Sequence, residues 1–261
     1  MTDWLSYDSL RQALGQHPFR FYERVSSTQD LARDWALAEP DLPPGALVIA
    51  EEQTAGRGRQ GRVWQTPPGA ALALSMILQP HLAPEQLPRV TMLGGVAVAA
   101  TLSPLLGEAV ALKWPNDVLI HGRKVCGILS EATWDGDRMG PVVIGIGLNV
   151  RMSFEGTDLA GRATSLETEL GEPVNRHALL ANLVGHLLHW SRRVHDPALV
   201  EVWRGWLKTL GRRVMVYPQL DGSAPYQAVA EAVDDNGALW VRLDDGERRR
   251  ILAADVGLAE S

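Results

Sequence analysis

Cysteine and long apolar runs are scarce in this sequence. Cys126 is the single cysteine, so an intramolecular disulfide cannot form, which fits a reducing compartment. The N-terminus lacks a basic stretch followed by an apolar run, and no segment approaches the roughly 20 apolar residues of a membrane helix. We therefore expect a cytoplasmic protein without a membrane partner.

An excess of basic residues is also absent. The 25 lysines and arginines are outnumbered by 31 aspartates and glutamates, which gives a formal net charge of -6. A dedicated nucleic-acid binder needs a strongly basic face, because its affinity comes largely from counterion release at phosphates. We expect no nucleic-acid partner.

Lysine is rare, and its distribution is uneven. The sequence has only Lys113, Lys124 and Lys208, and arginine supplies the other positive charges. Two of the three lie in one short window that also holds Asn116. A guanidinium cannot replace a compact ammonium in a tight site. The window between 113 and 124 is therefore a candidate for chemistry, with chance as the alternative.

The hydrophobic pattern predicts an α+β protein with a mixed or antiparallel sheet. Predicted strands occupy 46–52, 71–78, 111–114, 118–120, 124–132 and 141–150, and predicted helices occupy 27–38, 85–106, 176–193 and 198–209. Consecutive hairpins argue against a doubly wound sheet. The helix at 27–38 begins with Ser27 and Thr28, whose hydroxyls we expect to be exposed.

After Gly211 the pattern changes to short alternating segments separated by Asp-Gly and Asn-Gly turns. This is typical of a small β-barrel. We therefore predict a catalytic domain at 1–210 and a small barrel domain at 211–261.

A glycine- and arginine-rich loop, GRGRQGR, occupies 56–62 and follows a predicted buried strand. Glycines let a backbone approach a ligand, and arginines offer forked donors to phosphates and carboxylates. The loop is suited to binding two anions together. A flexible solvated loop or an RNA-binding Gly-Arg segment remains an alternative, and the missing Gly-Lys-Ser/Thr ending excludes a P-loop.

The more specific motif is Lys113-Trp114-Pro115-Asn116-Asp117, followed by GRKVCGIL at 122–129. Strict alternation places Lys124, Cys126 and Ile128 on one strand face, with Val125, Gly127 and Leu129 on the other. A lysine that begins a buried strand needs a partner. The alternative is structural, with a Lys113–Asp117 hairpin salt bridge and Lys124 at a sheet edge.

Together these motifs resemble those of the biotin protein ligases. The resemblance covers roughly 25–150 and comprises STQD at 27–30, QTAGRGRQGR with Trp64, KWPNDV, GRKVCGILSE and GIGLNV at 145–150. It implies a class II synthetase-like biotin/lipoate ligase fold with an SH3-like C-terminal barrel. It also implies activation of biotin by ATP and transfer to a lysine of a biotin carboxyl carrier protein, with Mg²⁺ accompanying ATP.

The resemblance also assigns roles to residues. The implied catalytic residues are Lys124, Arg59 and Asp117. Lys124 would orient the acid, and Arg59 would retain the adenylate. Asp117 would orient or deprotonate the acceptor amine, with a purely structural turn-capping role as the alternative. The implied biotin-binding residues are Ser27, Thr28, Gln29, Gln53, Gly56, Arg57, Lys124 and Gly127, with the aliphatic tail along Gly127 and 71–75. The implied ATP-binding residues are Arg57, Arg59, Arg62, Trp64, Lys113, Asn116 and Asn149. No metal ligand is assigned.

The sequence departs from some family members in two ways. Gln60 stands where a further loop arginine can occur, which removes one charge that could hold pyrophosphate. Only about 20 residues precede the ligase motifs, whereas some members carry an N-terminal winged helix-turn-helix of roughly 60 residues. We therefore expect no sequence-specific DNA binding or repression.

Other functions remain open. A lipoate ligase shares the broader fold and the two-step chemistry, although the KWPND and GRGRQGR pairing favours biotin. A non-catalytic sensor of biotin or nucleotide would not need Lys124 and all three loop arginines. An RNA-binding protein is disfavoured by the net acidity. A homodimer formed through a sheet edge is possible by analogy with the family.

Overall fold

The computed structural model describes residues 4–218, 224–252 and 254–258. Within them the larger sheet has eight strands in the order β1-β2-β4-β8-β7-β6-β5, and β3 pairs with the end of β2. The strands are β1 (Phe19–Val25), β2 (Leu47–Arg57), β3 (Val63–Thr66), β4 (Ala71–Leu78), β5 (Val110–Lys113), β6 (Asp117–Ile120), β7 (Arg123–Asp135) and β8 (Arg138–Asn149). Among the described strands only β1 and β2 pair in parallel, so the predicted mixed sheet is confirmed.

Helices cover both faces of this sheet. They are α1 (Tyr7–Leu14), α2 (Thr28–Ala38), α3 (Pro88–Leu106), α4 (Leu166–Leu170), α5 (Arg176–Ser191) and α6 (Pro197–Trp206). On one face α3 packs so closely that a methyl group on Gly94 would lie 2.6 Å from Ile144. On the other face Trp35 of α2 packs with Val48 and Val143. The sheet is therefore the middle layer of three.

The long apolar helix corrects one sequence expectation. The segment Pro84–Ala109 is long and apolar enough by length and composition to cross a membrane, so such a segment does exist. Most of it is buried within the structure. It packs against the sheet, α5 and α6, as the core helix of a layered protein does.

The C-terminal region forms a second, antiparallel sheet in the order β12-β11-β10-β9-β13. Its strands are β9 (Arg213–Pro218), β10 (Tyr226–Val233), β11 (Leu239–Arg242), β12 (Arg248–Ile251) and β13 (Ala254–Leu258). The sheet agrees with the predicted small β domain. The predicted Asp221-Gly222 turn lies outside the described residues, and the boundary at 210/211 stays a prediction.

Trp114 joins the two sheets. Its side chain is 1% exposed, and its indole Nε1 donates a hydrogen bond to the carbonyl of Gly237 at 2.8 Å. Its backbone N–H donates to Thr209 Oγ1 at 2.9 Å. Because Trp114 belongs to the KWPND motif, these bonds hold the C-terminal sheet beside that motif.

Candidate active site

A cavity of about 1250 Å³ lies between the larger sheet, the segment 151–163 and strands β9 and β13. The predicted catalytic, biotin-binding and ATP-binding residues all line this cavity, except Gly56. Of the segment 71–75 predicted to lie along the biotin tail, only Leu74 and Ser75 line it. Gly56 pairs with Trp64 in the β2–β3 hairpin, where an added methyl group would lie 2.3 Å from the Trp64 carbonyl. The structure therefore brings the separate motifs together around one space.

One end of the cavity carries a cluster of small polar groups. The backbone N–H of Thr28 donates to Gln53 Oε1 at 2.8 Å, and the Thr28 hydroxyl lies 2.9 Å from Ser75 Oγ. The Ser27 hydroxyl is buried and has no hydrogen-bond partner among the described residues. A buried hydroxyl without a partner is costly, so it is a natural contact for a polar ligand.

This cluster corrects the expectation that the hydroxyls at the start of α2 are exposed. Ser27 and Thr28 are 1% and 3% exposed, because the N-terminus of α2 is packed over the sheet. Gln29 is also buried, and its amide is used within the protein. Its Nε2 donates to the carbonyl of Val143 at 3.1 Å, and its Oε1 accepts from Ser75 at 3.1 Å.

Asp117 holds both lysines of the central motif. Its carboxylate lies 2.6 Å from Lys124 Nζ and 3.0 Å from Lys113 Nζ. Burial by itself raises the pKa of Asp117, but the two ammonium groups outweigh it and leave the pKa below its ordinary value. The carboxylate is therefore ionised at neutral pH. The structural alternative of a Lys113–Asp117 hairpin pair is present, and Lys124 joins it.

A β-bulge explains how Lys124 reaches the cavity. Val118 pairs with Cys126, whereas the next residue of β6, Leu119, pairs with Lys124. Val125 is therefore the extra residue, and strict alternation fails there. The predicted grouping of Lys124 with Cys126 and Ile128 is wrong: Lys124 shares the cavity side with Gly127, whose added methyl group would lie 3.4 Å from Lys124 Cε.

The arginine-rich segment is shorter as a loop than the sequence predicted. Strand β2 continues through Arg57, so the irregular part begins at Gly58. Arg57 Nη2 donates to Glu131 at 2.5 Å and lies 3.1 Å from Asp30. Gln60 adopts a left-handed conformation with φ of 59°.

Arg59 and Arg62 point across the cavity toward the C-terminal sheet. Arg59 donates to Asn116 Oδ1 at 3.2 Å and to the carbonyl of Ala254 at 3.3 Å. Arg62 forms an ion pair with the Asp255 carboxylate. Burial lowers the pKa of Arg59, and the nearby carboxylates of Asp255 and Asp117 partly offset this effect.

Trp64 lies flat on the strands that form the floor of the cavity. Methyl groups added to Gly127 and Gly147 would lie 2.9 Å and 2.3 Å from its indole ring. Lys124 Nζ is 5.5 Å from the ring centroid, within the range of a cation–π contact. The indole therefore occupies the glycine-lined floor where the resemblance places the biotin tail.

The two asparagines assigned to ATP already have protein partners. Asn116 Nδ2 donates to the carbonyl of Ile128 at 2.7 Å, and Asn149 Nδ2 donates to the carbonyl of Thr164 at 3.0 Å. Both therefore hold the cavity wall in place, and the ATP role of each stays a prediction.

Two family models match the sequence. The biotin/lipoate A/B protein ligase family matches 21–149, and the biotin protein ligase C-terminal domain matches 209–258. A biotin–acetyl-CoA-carboxylase ligase of Mycobacterium tuberculosis is 37% identical over 219 residues, which are 80% of this chain and 77% of that protein. The chain belongs to the biotin protein ligase family.

Other members of the family support the assignment. The bifunctional ligase/repressor BirA of Bacillus subtilis is 33% identical over 255 residues, which are 95% of this chain and 75% of that protein. The structure of the Leishmania major biotin protein ligase in complex with biotinyl-5-AMP is similar with a TM-score of 0.62 and 26% identity. This similarity covers 90% of this chain and 98% of that one. The predicted ligase fold is thereby confirmed, while the individual residue roles stay predictions.

Sequence reasoning missed two parts of this ligase's cavity. The first is the segment 151–163, which is pinned to Lys124: the Lys124 N–H donates to the carbonyl of Arg162, and Thr164 N–H donates to the carbonyl of Lys124, both at 2.9 Å. The second comprises Tyr217 on β9 and Asp255 on β13. The irregular segment has no periodicity to detect, and Asp255 is far from the motifs in sequence.

Proposed function

We propose that this protein activates biotin with ATP to form biotinyl-5'-AMP and then transfers biotin to a lysine of a biotin carboxyl carrier protein. The observation that carries the proposal is the set of side chains that line the cavity described above. A buried hydroxyl and amide cluster around Ser27 lies at one end, and the cations Lys124, Arg59 and Arg62 line the same space. Such a cavity suits an acid with a polar head and a polyphosphate.

In the first step a carboxylate oxygen of biotin attacks the α-phosphorus of ATP. The bond to the β-phosphate breaks, and pyrophosphate leaves with the electron pair. Two anions must approach each other, so the Lys124 ammonium orients the carboxylate and offsets the developing negative charge. Asp117 fixes that ammonium at 2.6 Å. The loop arginines bind phosphate oxygens through their forked donors.

In the second step the lysine amine of the carrier attacks the acyl carbon, loses a proton and expels AMP. Asp117 faces the cavity, but its lowered pKa makes it a weak base. Its two lysine contacts favour a role in holding charges and orienting the amine. A mixed anhydride hydrolyses readily, so the closed arginine loop also protects it from water.

Mg²⁺ enters the proposal only together with ATP. Among the described residues no group of three or more His, Cys, Asp or Glu side chains could hold a metal ion. Three aspartates, Asp117, Asp158 and Asp255, line the cavity, and the carboxylates of Asp117 and Asp255 face cations. We propose that phosphate oxygens and water provide most of the ion's ligands, together with one or two protein oxygens.

Several further proposals come from the sequence. We propose a cytoplasmic location, no nucleic-acid partner and a homodimer. The relative from Bacillus subtilis is named a ligase/repressor, so absence of repressor activity in this protein needs its own test. A gel-shift assay with genomic DNA fragments, in the presence of biotin and ATP, would reveal such binding.

The test of the main proposal is acid-dependent exchange of labelled pyrophosphate into ATP. The purified protein is assayed with biotin, and with lipoate and octanoate as controls. Exchange with biotin alone supports the proposal. Exchange with lipoate but not biotin identifies a lipoate ligase, and absence of exchange with every acid favours a ligand sensor.

A further inference from the structure

Asp255 lies on β13 of the C-terminal sheet and faces the arginine loop of the ligase cavity. Its Oδ1 is 3.6 Å from Arg59 Nη1, and its Oδ2 is bonded to Arg62 Nη2. Arg59 also donates to the carbonyl of the preceding residue, Ala254, at 3.3 Å. Two arginines of the loop therefore contact the same strand, β13, of the C-terminal sheet.

We infer that Asp255 is a positioning residue that latches the arginine loop to the C-terminal sheet and so retains the activated acid between the two chemical steps. This inference rests on the proposed function. It names a residue that the sequence motifs do not contain. It also gives the C-terminal sheet a part in holding the adenylate.

The latch can open and close with the phosphate content of the cavity. The triphosphate of ATP offers several anionic oxygens to Arg59 and Arg62, and it competes with the single carboxylate of Asp255. After pyrophosphate leaves, the one phosphate of an adenylate offers fewer oxygens. The ion pairs of Asp255 with Arg59 and Arg62 then form again, and the loop closes over the intermediate.

The geometry favours a firm latch over a casual surface contact. The side chains of Asp255 and Arg59 are 19% and 21% exposed, so solvent screens the charges of this pair only partly, whereas the side chain of Arg62 is 64% exposed. Asp255 lies within the β9–β13 ladder opposite Tyr217, which fixes its backbone. Because burial lowers the pKa of Arg59 and Asp255 opposes that effect, the carboxylate also supports the charge of the guanidinium.

The two sheets do not depend on this contact for their attachment. Trp114 Nε1 donates to the carbonyl of Gly237 at 2.8 Å, and Arg89 donates to the carbonyl of Asp235 at 3.3 Å. Loss of the Asp255 charge should therefore leave the sheets together. This separates a latch from a purely structural ion pair.

The experiment compares Asp255→Asn with wild type in two assays. The first measures the KM for ATP in biotin-dependent pyrophosphate exchange. The second measures escape of the activated acid, as biotin attached to the lysines of an added serum albumin. Asp244→Asn is the matched control, because Asp244 pairs with Arg213 in the same sheet and does not line the cavity.

We expect the KM for ATP to fall by about threefold in Asp255→Asn, since the variant removes a partly exposed competing carboxylate. Albumin labelling should rise by about tenfold, which corresponds to ~1.4 kcal/mol of lost retention. Asp255→Glu should bring both values back toward wild type, and Asp244→Asn should behave as wild type.

Unchanged KM and unchanged labelling in Asp255→Asn would overturn the inference. A parallel loss of exchange and labelling, with a lowered Tm, would also overturn it, because that result assigns Asp255 a structural role. Absence of biotin-dependent exchange in wild type would instead refute the proposed function.

Discussion

The substitution Gly147→Ala tests whether Trp64 lies on the cavity floor. It lies in β8, where it pairs with Gly127 of β7 and with Ala73 of β4. An alanine methyl group at Gly147 would lie 2.3 Å from two atoms of the Trp64 indole. Since Gly147 does not have a positive φ, alanine suits its backbone, and the effect of Gly147→Ala comes from crowding alone.

The crowding sets the size of the effect. Overpacking by one methyl group typically costs ~1–3 kcal/mol, which for a protein of this size lowers Tm by roughly 2–12 °C if the indole stays in place. If the indole moves away, the stability is largely kept. The methyl group then narrows the floor where the biotin tail should lie, and the same energy raises the KM for biotin by roughly 5- to 160-fold.

The assay combines thermal unfolding with biotin-dependent pyrophosphate exchange. Gly185→Ala is the control, since Gly185 lies within α5 with no atom within 4 Å of an added methyl group. It should raise stability by ~0.5–1 kcal/mol, as alanine does in a helix, and leave the KM for biotin unchanged. If Gly147→Ala changed neither Tm nor KM, the indole would not lie on the floor, and the tail would not bind there.

Three further predictions concern charged groups. Lys124→Ala should lower the rate of adenylate formation in single-turnover assays by at least about 10²-fold, which is the loss typical of removing one stabilising donor. Its circular dichroism spectrum should be unchanged. The control is Lys208→Ala, at an exposed lysine, which should keep the wild-type rate. Glu51→Gln removes the carboxylate that faces the fully buried guanidinium of Arg176 at 2.6 Å, and urea unfolding should show a loss of ~3–5 kcal/mol; a loss below ~1 kcal/mol would contradict this account. The pKa of Asp117 in the folded state is lowered from 3.8, so the ionised carboxylate stabilises the folded protein fully above that value. This stabilisation is lost as the pH falls through the lower folded-state pKa. Asp117→Asn should therefore be less stable than wild type at pH ~7, with a smaller difference at pH ~3, and a constant difference would refute the assignment.

Fully buried strands were predictable because each one is an uninterrupted run of apolar residues in the sequence. The run ALALSMIL was predicted as a strand at 71–78, and β4 spans Ala71–Leu78. Each of its residues is buried in the sheet between the helical layers. Four elements were missed: α1, β1, β3 and α4. Of these, β3 and α4 have only four and five residues, which carry too little periodicity to stand out.

The site was predictable in its members but not in its geometry. Lys124 was identified from its motif, whereas the bulge that turns it toward the cavity depends on pairing between β6 and β7. The burial of Ser27 and Thr28 depends on where α2 packs, so the local helix pattern predicted the wrong exposure. Asp255 reaches Arg59 from the far end of the chain, and no local pattern indicates such a contact.

Mass spectrometry of the native protein after mixing with biotin and ATP tests the central claim most directly. The account predicts a bound species with the mass of biotinyl-5'-AMP. This species disappears when a biotin carboxyl carrier domain is added, and the carrier domain then gains the mass of biotin on one lysine. Biotin bound without any adenylate, under conditions where ATP also binds, would contradict the claim that this cavity activates the acid.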